Sequence, residues 1–410
     1  MGSPLRVIVS AGFGEGHAFP ALALSRALAG RGHEVAVELA ERWRGTVAGL
    51  GLDFLPGREY AAFPSADPGA AGPTVADAAR SLAETIEGRG ADLVVADLVA
   101  PAAALAAELT GLPHATLIPT LYPVQGEGLP PYAQGLRPPR SALGAAAWRG
   151  IERAVRPLRP QARWLERVPA LVDENRRQLG LAPLGDATGR ITTYGPISAE
   201  LALVATFPQL EPRRLPANVE LCGPMLFEVP HPEVDLPGGD APLVLIAPST
   251  THAVAEELVG VALDALAGEP ARVVATLNRR GERWTGATPA NAAVVDWLSY
   301  AQVMARTALV VSSGGHGTIV RALAAGVPVL VCPAGADTAE NGARLTAAGA
   351  GLMVPEPLLS PTALRWAARR ILRDRRFHGR AAALGEWARG HDGAERGAVL
   401  VEELAARGHR

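Results

Sequence analysis

The chain has 410 residues, of which 39 are Lys or Arg and 41 are Asp or Glu, and its formal net charge is -2. A hydrophobic fraction of 48% with 20% charged residues is typical of a globular protein, and about 150 residues per domain predicts two or three domains. The near-neutral charge argues against a nucleic-acid partner, because phosphate backbones bind basic surfaces. The two cysteines exclude a disulfide framework, and no stretch reaches the roughly 18 apolar residues of a membrane span. We therefore expect a cytoplasmic protein that does not insert stably into membranes.

Short β-branched runs alternate with Ala- and Leu-rich stretches of helical period, which is the pattern of βα units around a parallel sheet. In the first half this pattern predicts strands over 5–10, 34–39, 92–96 and 115–119, and helices over 18–29 and 163–179. The pattern stops between residues 120 and 140, where Tyr122 and Tyr132 look exposed in a segment rich in Pro and Gly. Loops of this length without periodicity are usually functional.

The same pattern restarts after a stretch rich in Pro, Gly and acidic residues. It predicts strands over 243–247, 272–276, 293–296, 308–312 and 328–331, and helices over 252–267, 318–325, 339–348, 361–373, 381–390 and 394–407. We divide the chain into an amino-terminal domain (1–212), a linker (213–241), a second domain (242–385) and a carboxyl-terminal helix (386–410) that can pack back on the first domain. The fold class is α/β with two facing doubly wound domains, and ligands are expected in the cleft at the carboxyl ends of the strands.

A glycine-rich turn, Ser313-Gly314-Gly315-His316-Gly317-Thr318, follows the strand over 308–312 and opens a helix. Glycines let backbone N–H groups approach an anion, and the helix dipole favours a phosphate at this position. The same residues would equally form a simple tight turn. Asp337 and Asn341 put a carboxylate and an amide at the next strand-to-helix turn, where sugar hydroxyls can be held. The Trp297 indole beyond another strand end can stack on a nucleobase or simply pack at an interface.

The segment from Asp296 to Leu345 resembles the donor-binding signature of family 1 nucleotide-sugar glycosyltransferases, the group that contains bacterial macrolide and antibiotic glycosyltransferases. The matching residues are Trp297, Gly314-Gly315-His316-Gly317-Thr318, Ala322-Leu323-Ala324-Ala325-Gly326-Val327-Pro328, Asp337 and Asn341. The resemblance extends over most of the chain, including Gly16-His17-Ala18-Phe19-Pro20 and the stretch over 218–224. It implies the GT-B architecture, with a UDP- or dTDP-sugar donor on the carboxyl-terminal domain and no metal or other cofactor.

Three positions depart from the family pattern. The leading His of the turn, a phosphate contact in the family, is Ser313; the Glu usual three residues after Thr318 is Arg321; and the Gln of the Asp-Gln pair is Thr338. A serine hydroxyl still donates to phosphate oxygens, His316 can add a second donor and Arg321 can add positive charge. We therefore keep the whole turn and the residue pair that ends with Thr338 as predicted donor contacts.

His17 follows the first strand, where a loop becomes a helix, and Asp97 follows the strand over 92–96. An imidazole with a pKa near about 6.5 is the natural acceptor for a hydroxyl proton, and a carboxylate at the same sheet edge can orient it. A loop histidine is also commonly a cap or a solvated residue, and a strand-end Asp often caps a helix. In the family the His of a Gly-His-x-x-Pro motif is the general base, supported by an Asp at this later strand end. The resemblance thus implies an inverting transfer with His17 as base and Asp97 as its partner.

The resemblance also implies which residues contact the acceptor. The variable loops of the amino-terminal domain line the acceptor pocket in the family, so Tyr60, Phe63, Leu121, Tyr122 and Tyr132 are predicted contacts for a small apolar acceptor. Each of these side chains would equally suit ordinary packing.

Another turn of the second domain offers hydroxyl groups. Ser249 and Thr250 follow the strand over 243–247, where they either cap a helix or, as in the family, approach the donor phosphates.

Other functions stay open. The stretch around His17 also resembles the peptidoglycan glycosyltransferase that adds N-acetylglucosamine to a lipid, although the balanced charge argues against work at a membrane. The changes at Ser313 and Thr338 would suit a non-catalytic nucleotide-binding helper of the same fold, and a nucleotide-sugar epimerase is a fourth alternative. The sequence does not distinguish a monomer from a homodimer, or O-, N- and C-linked products.

Overall fold

The computed structural model describes residues 3–12, 14–60, 72–155, 160–185, 190–248, 255–335 and 337–408, without the side chains of 160–163, 255 and 408. Two parallel sheets organise this part of the chain, and no helix in it combines the length and apolar character that crossing a bilayer requires. The predicted α/β class with two doubly wound domains is confirmed.

The first sheet has seven strands. They are β1 (Arg6–Ser10), β2 (Glu34–Leu39), β3 (Asp53–Pro56), β4 (Leu93–Asp97), β5 (His114–Ile118), β8 (Leu201–Val204) and β9 (Val219–Leu221), with β6 (Ile191–Thr192) and β7 (Gly195–Pro196) forming a separate short hairpin. Their order is β3-β2-β1-β4-β5-β8-β9, and all neighbours are parallel. The direction of strand addition reverses between β1 and β4, which opens a crevice at the carboxyl ends of these two strands.

The second sheet has six parallel strands in the order β12-β11-β10-β13-β14-β15. They are β10 (Leu243–Ala247), β11 (Arg272–Thr276), β12 (Ala292–Val295), β13 (Thr307–Ser312), β14 (Val329–Val331) and β15 (Gly351–Met353). The reversal falls between β10 and β13, so this sheet has its own crevice at the end of β13.

Helices cover both faces of each sheet, which explains why the central strands are apolar on both sides. In the first half they are α1 (Glu15–Gly30), α2 (Arg44–Gly49), α3 (Val75–Arg89), α4 (Pro101–Leu109), α5 (Ala142–Val155) and α6 (Pro160–Gln178). In the second half they are α7 (Ala255–Leu266), α8 (Tyr300–Met304), α9 (His316–Ala324), α10 (Thr338–Ala348), α11 (Pro361–Arg373), α12 (Arg375–Arg389) and α13 (Gly393–Gly408).

The linker begins later than the sequence indicates. Residues 219–221, which we assigned to the linker, form β9 and pair in parallel with β8 at the edge of the first sheet. A strand of three residues between prolines and glycines carries too little periodicity to be recognised. The passage to the second domain therefore starts after Leu221.

The chain returns to the first domain at its carboxyl-terminal end. Helix α13 packs on α1, and its Leu400 and Leu404 belong to the same apolar cluster as Leu24. At the edge of this contact, Arg31 Nη2 lies 2.7 Å from a Glu402 carboxylate oxygen. The last helix is therefore part of the amino-terminal domain.

The two passages between the domains touch each other. Gly223 lies on the outward passage and Gly393 on the return passage, and a Cβ atom placed on Gly393 would lie 2.3 Å from the Gly223 carbonyl oxygen. Only glycine at position 393 permits this approach without movement of the backbone.

The contact of α13 leads to a test of stability. We expect Leu400→Ala, at a side chain that is 3% exposed, to lower the free energy of unfolding by about 2–5 kcal/mol through lost burial and a residual cavity. Leu358→Ala removes the same atoms from a side chain that is 64% exposed, and should change it by no more than about 0.5 kcal/mol. Urea denaturation followed by circular dichroism measures both, and equal effects would contradict the packing of α13.

Candidate active site

The first sheet brings together the two predicted catalytic residues. His17 lies in the first turn of α1, and Asp97 ends β4, directly across the crevice from the end of β1. The His17 Nδ1 atom lies 2.9 Å and 3.0 Å from the two Asp97 oxygens. The Asp97 side chain is completely buried, whereas that of His17 is 29% exposed.

Asp97 accepts a second hydrogen bond, from the Val99 amide at 2.9 Å, which fixes the carboxylate in place. With Nδ1–H donating to Asp97, the basic nitrogen of His17 is Nε2. Burial is the largest influence on the pKa of His17 and lowers it, but the charge and hydrogen bond of Asp97 and the charge of Asp337 together outweigh it. The net result is a raised pKa.

Gly12 makes room for this pair. A Cβ atom there would lie 2.5 Å from Val99 Cγ2 and 3.3 Å from His17 Cγ. A larger residue would push either the imidazole or the loop that holds Asp97. The glycine after β1 is thus a requirement of the histidine position.

The glycine-rich turn lies at the end of β13 in the second domain. Gly314 has φ +88°, and a Cβ atom on it would lie 2.8 Å from the Thr338 carbonyl oxygen and 2.9 Å from Val331 Cγ1. A Cβ atom on Gly315 or Gly317 would meet no heavy atom within 4 Å. The first glycine is therefore demanded by the fold, and the other two leave open space above the start of α9.

That open space is a cavity of about 250 Å³ between the two domains. His17 contributes to its wall from one domain, and the turn from Gly315 to Thr318 contributes from the other. Trp297, Asp337 and Thr338 also line it. The structure thus brings the predicted base and most predicted donor residues to one site, which we call the cleft cavity.

Ser313 lies elsewhere. Its hydroxyl is buried, has no hydrogen-bond partner among the described residues and does not line the cleft cavity as described. Ser313 directly follows β13 and is 1% exposed. Its contact with phosphate stays a prediction.

His316 faces the first domain. Its Nε2 atom lies 3.4 Å from the Ala205 carbonyl oxygen. Burial lowers the pKa of His316 and outweighs the charge of Asp337, the Ala205 carbonyl and the Asn341 side chain, so the imidazole is neutral at pH 7. It lines the cleft cavity without adding a positive charge.

The turn before α10 presents one carboxylate to the cleft cavity. An Asp337 oxygen accepts from Asn341 Nδ2 at 3.2 Å, and the same amide donates to the Gly314 carbonyl at 2.9 Å. Asn341 therefore ties this turn to the glycine-rich one. The Thr338 hydroxyl is occupied by its own loop, since it donates to the Gly335 carbonyl and accepts from the Ala334 amide.

The Trp297 ring is supported by the neighbouring loop. Asp296 accepts from the Trp297 amide at 2.8 Å and from the Gly281 amide at 2.7 Å, which holds the loop beside the indole. The Arg280 guanidinium carbon lies 5.1 Å from the centre of the indole ring. This cation–π contact fixes the ring at the wall of the cleft cavity.

Sequence reasoning missed several polar residues of this wall, among them Asn278, Tyr300 and Glu228. Asn278 is 8% exposed and has φ +53°, and its amide donates to the Tyr300 hydroxyl at 2.9 Å. A non-glycine residue at positive φ is uncommon and often functional, but the sequence does not show backbone angles.

The predicted acceptor contacts are mostly in the core. Leu121 is 1% exposed and Tyr122 is 2% exposed, and neither lines the cleft cavity as described. Tyr132 is partly buried near the acids of α10, and burial, aided by Asp337, raises its pKa well above 10. The expectation that both tyrosines are exposed was wrong.

Parts of the segment over 120–140 are buried by contacts with both domains. Arg213 donates to the Tyr122 and Val124 carbonyls. A Glu211 carboxylate oxygen lies 2.8 Å from Arg213 Nε and 3.2 Å from Arg344 Nη1 on α10. The predicted contacts Phe63, Ser249 and Thr250 lie outside the described residues.

A second cavity of about 440 Å³ lies between α4 and α6, and we call it the α4–α6 pocket. Its walls are mostly apolar, with Leu105, Val168 and Leu171 among them. Tyr194 lines it as well, and burial raises the pKa of Tyr194 with help from the charges of Asp337 and Asp97. The charges of Asp337 and Asp97 therefore act on the Tyr194 side of this pocket.

Comparison with known proteins agrees with this geometry. Residues 260–390 match the family described as erythromycin biosynthesis protein CIII-like, C-terminal domain. A relative from Lentzea aerocolonigenes, 4'-demethylrebeccamycin synthase, is 28% identical over 433 residues, which cover 97% of this chain and 99% of the relative.

Solved structures show the same fold. The glycotransferase of kitacinnamycin superposes with a TM-score of 0.74 and 21% identity over 98% of this chain and all (100%) of the other. Glycosyltransferase VinC in complex with DTDP gives a TM-score of 0.68 and 19% identity, with 98% of this chain and 100% of the other covered.

Two facing parallel-sheet domains with a cleft between them have the GT-B fold. The chain is similar to glycosyltransferases of antibiotic and natural-product biosynthesis, and its carboxyl-terminal domain matches the erythromycin biosynthesis protein CIII-like family over residues 260–390. The resemblance to family 1 enzymes and the GT-B architecture expected from the sequence are confirmed.

Substitution by alanine can distinguish Gly314, which the fold requires, from Gly317, which faces open space. We expect Gly314→Ala to lower the free energy of unfolding by at least about 1–2 kcal/mol, because alanine is strained at φ +88° and its Cβ meets the Thr338 carbonyl. Gly317→Ala should leave it unchanged or raise it by up to about 1 kcal/mol, since the space is open and alanine favours the helix. Thermal unfolding measures both, and a loss at Gly317 as large as that at Gly314 would refute the distinction.

Proposed function

We propose that the protein is an inverting glycosyltransferase that moves a sugar from a UDP- or dTDP-sugar to a small, apolar natural product, without a metal ion. The observation that carries this proposal is the cleft cavity, where His17, held by buried Asp97, faces the glycine-rich turn across the domain boundary. The thymidine diphosphate found with the related VinC and SsfS6 structures supports a nucleotide in this cleft.

The base chemistry follows from the hydrogen bond to Asp97. His17 Nε2 takes the proton of the acceptor hydroxyl, and the freed oxygen attacks the anomeric carbon of the sugar. Asp97 keeps the imidazole in the productive tautomer and stabilises the imidazolium that forms. The carbon–oxygen bond to the diphosphate breaks with inversion, and the nucleoside diphosphate leaves with the electron pair.

The departing diphosphate gains negative charge as the bond breaks. Backbone N–H groups at the open start of α9 point toward the cleft cavity, and the helix dipole favours an anion there. Such preorganised donors stabilise a transition state because they need no reorientation during the reaction. Asp337, at the start of α10, is placed to accept hydrogen bonds from sugar hydroxyls.

The acceptor is assigned to the α4–α6 pocket. Its volume of about 440 Å³ and its mainly apolar wall suit a small hydrophobic molecule, and the charge of Asp97 acts on its Tyr194 side. This pocket replaces the packed side chains of Leu121 and Tyr122 as the site where an acceptor would be held.

Removal of the base tests the proposal. We expect His17→Ala to lower the rate of sugar transfer by about 10²–10⁴-fold, because the imidazole that takes the acceptor proton is removed, while binding of thymidine or uridine diphosphate is unchanged. The assay measures release of nucleoside diphosphate from a nucleotide-sugar with an aromatic or macrolide acceptor in the presence of EDTA. Turnover by the variant at the wild-type rate would refute the role of His17, and failure of the wild type to bind either nucleotide would refute the donor site.

The raised pKa of His17 sets the pH dependence. Only neutral His17 accepts a proton, so kcat/KM should rise with pH through the pKa of the free enzyme, with a midpoint above about 6.5. In Asp97→Asn the charge that raises this pKa is gone and burial lowers it without that opposition, so the midpoint should move to lower pH while the plateau falls.

The matched measurement is the pH profile of kcat/KM for both proteins, taken from initial rates at acceptor concentrations well below KM. A midpoint that stays in place in Asp97→Asn would show that another group controls the acidic limb.

A further inference from the structure

The charge of the cleft cavity is unfavourable for a nucleotide unless a cation offsets it. Three carboxylates line the cavity, those of Glu15, Glu228 and Asp337, and the described wall contains a single guanidinium, that of Arg321. His316 is kept neutral by burial. A nucleoside diphosphate would bring further negative charge to this site, and like charges repel strongly away from bulk water.

Arg321 is well placed to face a bound diphosphate. It follows Gly317 by four residues and Thr318 by three on α9, so its side chain lies on the same helix face as the glycine-rich turn. Side chains on a helix also tilt toward the amino-terminal end, which here is the phosphate-binding end.

Contacts from the first domain and the linker hold Arg321 in this position. Its guanidinium carbon lies 5.1 Å from the centre of the Phe19 ring, two residues beyond His17 on α1. It donates to the Phe227 carbonyl on the passage between the domains. The guanidinium is therefore fixed on the side of the cleft that also carries the base.

The charge of Arg321 is not neutralised by an ion pair. Among the described residues, no carboxylate oxygen lies within 4.0 Å of its nitrogens. Glu228 acts on it at longer range, but both Glu228 oxygens accept hydrogen bonds at the start of α8, from the Tyr300 amide and, at 2.9 Å, from the Ala301 amide.

Burial lowers the pKa of Arg321, although Glu228 and Tyr300 oppose this shift. A guanidinium stays charged in proteins, and a charge without a partner is costly to bury. A ligand that supplies an anion would remove this cost.

We propose that Arg321 binds the diphosphate of the nucleotide donor through a charge-assisted hydrogen bond, opposite the backbone N–H groups of the glycine-rich turn. This inference rests on the proposed function, because it takes the donor to be a nucleoside diphosphate sugar. A planar guanidinium suits two phosphate oxygens at once, which a point charge does not.

The test separates phosphate binding from nucleoside binding. Isothermal titration calorimetry, with displacement titrations where binding is weak, gives the dissociation constants of thymidine diphosphate and thymidine for the wild type, Arg321→Ala and Arg321→Lys. We expect Arg321→Ala to weaken thymidine diphosphate binding by about ten- to hundredfold and to leave thymidine binding unchanged, with partial recovery in Arg321→Lys.

Arg26→Ala is the matched control, because Arg26 lines the groove next to Arg321 but does not line the cleft cavity as described. Its diphosphate affinity should equal that of the wild type. Arg321→Gln replaces the alanine variant if that variant does not fold, since glutamine can still donate to the Phe227 carbonyl.

The results of the titrations distinguish a failure of the proposed function from a failure of the role assigned to Arg321. A wild type that binds neither thymidine nor uridine diphosphate overturns the proposed function itself. A wild type that binds, with an Arg321→Ala variant that keeps the same affinity, overturns the inference alone. Equal weakening of thymidine and its diphosphate would also overturn it, because Arg321 would then act only by holding Phe19 and the linker together.

Discussion

The hydrogen bond between His17 and Asp97 depends on the strand order of the first sheet. Because strand addition reverses between β1 and β4, the loops that follow these strands leave on opposite faces and open a crevice between their ends. His17 and Asp97 lie on the two sides of that crevice, at hydrogen-bonding distance. The second sheet repeats the arrangement with β10 and β13 and so places the glycine-rich turn at its own crevice.

The two crevices face each other, so the charged side chains of the cleft cavity come from both domains. Asp337 belongs to the second domain, yet its charge raises the pKa of His17 in the first. Arg321 likewise belongs to the second domain, and the Phe19 ring that it contacts belongs to the helix of His17. The protonation of His17 is therefore coupled to the relative position of the domains.

Local sequence patterns predicted the strands that form the centre of both sheets, with ends shifted by one residue at most. These strands are β-branched and buried on both faces, so their signal is strong. The strands β3, β8, β9 and β15 have three or four residues each and were missed, since so short a run carries little periodicity. The sequence motifs also include many of the residues that line the cleft cavity.

Long-range contacts account for the rest. Tyr122 is buried because it packs in an apolar cluster with Leu98 and Ile197, which are distant in sequence, and Ser313 is buried directly after β13. Neither fact can be read from neighbouring residues. The position of the Glu228 carboxylate likewise depends on hydrogen bonds to the start of α8, a helix that the sequence does not reveal.

The contact between Gly223 and Gly393 restricts how the two halves of the enzyme can move. A single connecting segment would allow one half to swivel freely about the other, but two adjoining segments leave mainly a bending motion about the point where they meet. Exchange of substrate and product would then require the two domains to rotate apart about the contact between Gly223 and Gly393. A side chain at position 393 would push the two connecting segments apart. It would therefore change the distance between the domains, although it lies outside the cleft cavity.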